Sequence, residues 1–242
     1  MRALLTLTVA LLSWEALVRL TGLPPYLLPS PLSVAAALWS HRAELAPAAL
    51  LTGGETLLGL ALGAALGVGA AVAMALSPRL GRTLGPVLIV SQTIPVFALA
   101  PILTLWLGFG MAPKVAMVVL IVFVPVAQAL YDGLMAPPAA QLDVVRTMGA
   151  GRWAELRHLR FPAALPRLAS GLRLGAIYAP VGAVIGEWVG GARGLGAVMI
   201  HANGRMKTDL MFAALFVVVA LSLALYTAID RSLTRLLRAR GF

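Results

Sequence analysis

The sequence contains no cysteine, which excludes a disulfide framework and any reaction that runs through a thiolate. Charge is almost as scarce. Only 12% of the 242 residues are charged, against roughly 25% in an ordinary soluble domain. Paired carboxylates, a His and Cys cluster and a Gly-rich phosphate loop are all missing. In particular no G-x-x-x-x-G-K-[ST] occurs, so the chain has no P-loop in which to hold ATP. Its three histidines, His41, His158 and His201, stand far apart, and neither a metal site nor a catalytic site is expected.

What remains is apolar. Hydrophobic residues make up 60% of the chain, in runs too long and too many for one soluble core to bury. The runs read as six membrane spans, at 3–20, 57–76, 87–107, 115–130, 172–189 and 210–229, close to the roughly 20 residues that cross a bilayer. The fourth and fifth are short and call for snorkelling flanks, Lys114 and Arg173. The first resembles a signal peptide in outline, but Trp14 and Glu15 stand where a small-residue cleavage site belongs. The fold class expected is therefore an all-α integral membrane protein. Residues 1–242 form a single transmembrane domain: 1–50 are a first span and an extracytoplasmic surface segment, and 51–235 are the core.

The net charge of +10 invites a nucleic-acid reading, but its placement points elsewhere. With the first residues in the cytoplasm, alternation puts Arg2, Arg79, Arg82, the arginines at 146, 152, 157, 160, 167 and 173, and those at 231, 235, 238 and 240 on one side. That side holds 13 of the 19 basic residues, and the other holds 6. The positive-inside rule then predicts both termini, and the loop between the fourth and fifth spans, in the cytoplasm.

Individual spans differ in character. Gly59, Gly63 and Gly67 lie four apart on one face of the second, a spacing that lets helix backbones approach closely. Gly182, Gly186 and Gly190 repeat the device in the fifth. In the third span Pro95 and Pro101 each remove a ladder bond, and Ser91, Gln92 and Thr93 bring polar groups to membrane depth. Such groups line a pathway or belong to a self-satisfied proline kink. Pro125 and Gln128 mark the fourth span, Tyr178 and Pro180 the fifth. Glu187, near the outer mouth, is placed to meet solute or a gate, or else Arg193 or a lipid headgroup. The middles of the spans hold no ionisable group. A self-powered carrier is therefore not expected, and the energy must come from a partner. Residues 32–45 read as one interfacial helix or a covered linker, and the stretch between "GGARGLG" and the sixth span as a polar outer loop.

Residues 137–166 are the most charged stretch. Pro137 and Pro138 can open a helix ending near Met148, with Gly149 supplying a left-handed stop. A second helix, 151–159, carries Trp153, Leu156 and Leu159 on an apolar edge and Arg152, Arg157 and Arg160 on a basic one. Pro162 is expected to stop it, with Pro166 leading into the fifth span. The product is a cytoplasmic knob shaped for a groove in another protein, or a loop that anchors headgroups.

The spacing of that stretch resembles the cytoplasmic loop of permease subunits of bacterial ABC importers: E-A-A, three residues, Gly, nine residues, I-x-L-P. Here Asp143, Val144, Val145, Gly149, Leu159, Phe161 and Pro162 occupy those positions. Asp replaces Glu, and valines replace both alanines. "LWLGFG", "YDG" and "EWVGGARGLG" are similar to the sulfonate, taurine and nitrate type of permease, over about residues 50 to 235. The resemblance implies that the loop docks into an ATPase subunit that binds ATP and Mg. It also implies two such ATPase subunits, a second permease copy, an extracytoplasmic solute-binding protein and a place in the cell inner membrane. "SQTIPVFALAP" looks most like permeases for pyrimidine precursors of thiamine, then riboflavin types, with sulfonates, taurine and nitrate also in view. A neutral Ser, Gln and Thr lining suits a neutral or weakly basic heteroaromatic. Two other classes fit the residues less closely: a membrane scaffold that binds a cytoplasmic partner, and a passive channel.

Overall fold

The computed structural model describes residues 2–241, and every regular element among them is helical. In chain order these are α1 (Arg2–Thr21), α2 (Pro31–Ser40), α3 (Arg42–Leu76), α4 (Pro78–Ser91), α5 (Val96–Leu107), α6 (Met111–Met135), α7 (Ala139–Thr147) and α8 (Arg152–Glu155). A π-helical turn at Leu156–Arg160 leads into α9 (Phe161–Gly190), followed by α10 (Leu195–Gly204) and α11 (Thr208–Ala239). Starts are written locally. Ser30 and Ser77 each accept a bond from the backbone N–H three residues on, and a proline follows each of them at the first helical position, where its missing N–H costs nothing.

Four helices are long and apolar enough to cross a membrane: α3, α6, the rod Arg152–Gly190 and α11. A fifth crossing is the broken pair α4 and α5, bent by 101°. The glycine contacts show that this pair crosses. Gly59, Gly63 and Gly67 of α3 meet Val118, Val122 and Val126 of α6 in the same order, so α3 and α6 run parallel. The chain between them must return across the bundle. It does so with Gly81 against Met74 and Tyr131 at one end and Thr104 against Gly190 at the other. These are five of the six spans read from sequence, and the first of the six falls on the 20-residue α1.

The core runs along α6, which lies between α3 and α9. A Cβ at Gly63 would sit 2.9 Å from Val122 Cβ, and one at Gly171 2.9 Å from Ala129 Cβ. Only glycine allows these backbones so near, and the gain is dense van der Waals contact where lipid offers no hydrophobic drive. Val118, Val122, Val126, Ala176, Ala179 and Ala183 fill the seam. On the flank of α11, Trp14 stacks on Phe216 at 6.0 Å.

Several elements depart from expectation. Residues 32–45 are two helices broken at His41, and α3 begins at Arg42, well before residue 57. The bend in the third crossing falls at 92–95, while Pro101 sits inside α5 without interrupting it. Proline pushes the residue before it into extended backbone, so Ile94 and Pro95 end α4. Residues 195–204 are helix α10 rather than loop.

Pro162 does not stop a helix. It lies in the first turn of α9, and the rod continues past Pro166. The π-turn just before it explains this: widening the ladder to i→i+5 makes room for a ring whose N–H is absent.

Candidate functional site

Three sites are set by this frame: the knob formed by α7 and α8, a cavity at the bend, and a buried polar cluster at the opposite end of α9.

At the knob, α7 and α8 are joined by a turn in which Gly149 has φ +80°, a region that costs any residue with a Cβ. Asp143, Val144, Gly149, Arg152 and Trp153 are exposed, and Val145, Leu159, Phe161 and Pro162 are partly buried. Leu156 is not on an open apolar edge. It is buried with Leu130, Leu134, Ala71 and Ala164, and so roots the knob in the bundle. The free apolar surface is instead Val144, Met148 (80% exposed) and Trp153 (61% exposed). Arg160 is also not part of a free basic rim. Its Nε donates to Glu155 at 2.6 Å and its Nη1 to the carbonyl of Leu134 at 3.2 Å. Arg146 reaches the same carboxylate from α7 at 3.3 Å. Glu155 therefore clamps the knob, a role the sequence reading missed.

At the bend, Ser91, Gln92 and Tyr178 line one cavity of about 610 Å³, walled by apolar groups from α4, α5, α6 and α9 and by no charged side chain. Ser91 and Thr93 turn their hydroxyls onto the carbonyls of Leu88 and Val90. Gln92 Nε2 donates to Gln128 Oε1 of α6 at 3.2 Å. Thr93 and Pro95 lie at the same bend, outside the lining, and Glu187 is remote from it.

The third site lies at the ends of the spans rather than in their middles, and it buries ionisable groups that the sequence reading took as flanking or mouth-facing. Glu55, Glu187 and Lys114 are all buried, the last only 4% exposed. Lys114 Nζ donates to Glu55 Oε1 at 2.8 Å and to the carbonyl of Arg193 at 3.1 Å. It is thus enclosed and paired and does not snorkel. Glu187 bonds neither Arg193 nor solvent. Its two oxygens accept from the Thr52 hydroxyl and the Gly196 N–H, both at 2.6 Å. Gly196 lies in the first turn of α10, whose N-terminal dipole favours the carboxylate. Arg173 likewise pairs with Asp230 at 2.7 Å and bonds Thr234 at 3.1 Å, tying α9 to α11. A signal for the buried pair does exist in the sequence. Glu55 stands four residues before Gly59 on the glycine row of α3, and Lys114 four before Val118 on the facing row of α6.

Residues 63–240 match the model of a family described as binding-protein-dependent transport system inner membrane component. The chain belongs to that family. This permease is 46% identical to a probable ABC transporter permease protein of Haemophilus influenzae, over 97% of this chain and 96% of that one. It is 42% identical to the riboflavin transport system permease protein RibX of Chloroflexus aurantiacus (91% and 83% covered). It is 35% identical to the formylaminopyrimidine transport permease protein ThiX of Halalkalibacterium halodurans (90% and 87% covered). Its fold matches the solved inward-facing MetNI methionine ABC transporter, with a TM-score of 0.70 at 21% identity, over 81% of this chain and 97% of that one. The permease is thus a multi-pass membrane subunit of an ABC importer with no catalytic site of its own. Its family works with an ATP-binding subunit and a binding protein.

Proposed function

We propose that this permease imports a small heteroaromatic solute, a thiamine-precursor pyrimidine or a molecule of similar shape, along a path past Ser91, Gln92, Thr93, Pro95 and Tyr178. The observation that carries this reading is the bend cavity. It offers hydroxyl and amide groups beside aromatic and aliphatic walls and no cation to hold a sulfonate, the pattern of a site for a flat, uncharged ring. Two of the relatives are named for riboflavin and formylaminopyrimidine, both of them heteroaromatic. Two copies of the permease enclose the path, and both termini and the knob face the cytoplasm. The exposed Val144, Met148 and Trp153 seat in two ATP-binding subunits, which bind ATP and Mg, with residues 143–162 as the coupling segment. Residues 1–50 lie outside the core domain of 51–235.

The test is ATPase activity of the permease reconstituted with its ATP-binding subunit. Activity should rise with binding protein loaded with an aminopyrimidine and stay flat with taurine. The opposite pattern rejects the solute class. Gly149→Val should uncouple hydrolysis from uptake, and undiminished uptake in that variant rejects the coupling role of the turn.

A further inference from the structure

The hydrogen bond between Gln92 and Gln128 uses only half of each amide. Gln92 spends one N–H, so its Oε1 remains an acceptor. Gln128 spends an oxygen lone pair, so its Nε2 keeps both N–H donors. Gln92 is exposed and lines the bend cavity, and Gln128 stands on α6 one turn beyond Val124 and Pro125 of the same lining. Ser91 and Thr93 have already turned their hydroxyls onto backbone carbonyls, so neither has a donor left for a solute. Beside the single Tyr178 hydroxyl, the mutually bonded amide pair is the polar edge that remains, and it alone offers a donor and an acceptor side by side.

We propose that Gln92 and Gln128 form a recognition edge that reads a solute presenting an acceptor nitrogen and an adjacent N–H donor. The amidine edge of an aminopyrimidine is such a group, and so is the lactam edge of an oxidised pyrimidine ring. The ring nitrogen or carbonyl accepts from Gln128 Nε2, and the neighbouring N–H donates to Gln92 Oε1. The bond across the bend has a second consequence. Gln92 belongs to the broken crossing and Gln128 to continuous α6, so the amides stay in register only while the bend keeps its present angle. Solute that bridges both therefore favours this geometry. The inference rests on the proposed solute class and assigns Gln128 a specificity role within it. A sulfonate, with three acceptors and no donor, leaves Gln92 Oε1 unmatched.

The experiment measures binding of two probes to the permease assembled with its ATP-binding subunit in lipid nanodiscs. The probes are 4-aminopyrimidine and 4-dimethylaminopyrimidine, followed by ligand-observed NMR. They share a ring and an acceptor, but only the first carries the N–H. The intact complex should prefer 4-aminopyrimidine by roughly tenfold, the worth of one matched hydrogen bond. Gln92→Leu removes the acceptor and should abolish that preference. Gln128→Glu keeps an oxygen for Gln92 but loses the donor, and should weaken both probes while leaving the thermal midpoint near that of the parent. Equal binding of the two probes to the intact complex overturns the proposal, as does a preference that survives Gln92→Leu. If ATP-driven uptake of a pyrimidine persists while the preference is absent, only the recognition edge fails. If taurine binds and neither pyrimidine does, the solute class fails with it.

Discussion

The helical rod from Arg152 to Gly190 carries a carboxylate near each end, and the two are treated in opposite ways. Glu187 is wholly enclosed, with a donor on each oxygen, beside the buried Glu55 and Lys114 pair. Glu155 is buried too, but its partner Arg146 is 54% exposed in its side chain, and around it Val144, Met148 and Trp153 stand open. One end joins α3, α6, α9 and α10 through charged side chains that are themselves buried. The other fixes the shape of a knob and leaves its apolar face uncovered. A buried pair is costly to break because the survivor stays desolvated, whereas a partly wet one can recruit water. The difference predicts a rigid end at Glu187 and a knob shaped in advance for a partner.

The largest effect that would break this comparison is at Lys114. Lys114→Met leaves Glu55 and Glu187 without a cation and should cost about 3–5 kcal/mol, read as a fall in the thermal midpoint in detergent. Adding Glu55→Met should recover most of the loss, because the carboxylate that remains, Glu187, keeps its donors from Thr52 and Gly196. A Lys114→Met variant as stable as the parent would show that the Glu55, Lys114 and Glu187 cluster does not lock this end of the bundle.

A smaller change is expected at the other end. Glu155→Gln frees Arg146 and loosens Arg160 and should cost about 1–3 kcal/mol, with a larger fall in affinity for the ATP-binding subunit than in stability. Equal losses from Glu155→Gln and Lys114→Met would erase the distinction between the ends. The smallest stability effect belongs to Trp153→Ala, within about 0.5 kcal/mol as for other exposed sites. Its expected signature is loss of the ATP-binding subunit during co-purification, and full retention of that subunit would mean the exposed patch is not the docking surface.

Much of the frame was legible beforehand. The apolar runs announced a helical membrane protein, and the turn at Gly149 is where its spacing put it, because a left-handed residue is a local requirement. The cavity at the bend was legible only in its residues. Ser91, Gln92 and Thr93 were visible as polar groups in an apolar span, but that Ser91 and Gln92 share a cavity with Tyr178 while Thr93 does not depends on how α4 turns at Ile94 and Pro95. Glu55 was passed over because it lies just ahead of the run from residue 57, and Glu155 because arginines dominated its neighbourhood.

By itself, the sequence determined what each segment needs from its surroundings. Long apolar helices require lipid or one another, and glycine rows require a backbone against them. A helical hairpin is marked by the spacing of its glycine and prolines. Which partner meets each need was decided by the tertiary structure. The parallel course of α3 and α6 turns a surface lysine into the counterion of Glu55, and a π-turn lets Pro162 continue the helix it was expected to end. The reason is range: capping and chirality act within one turn of chain, whereas a buried charge is stabilised by groups 59 or 135 residues away, and only packing brings those into contact.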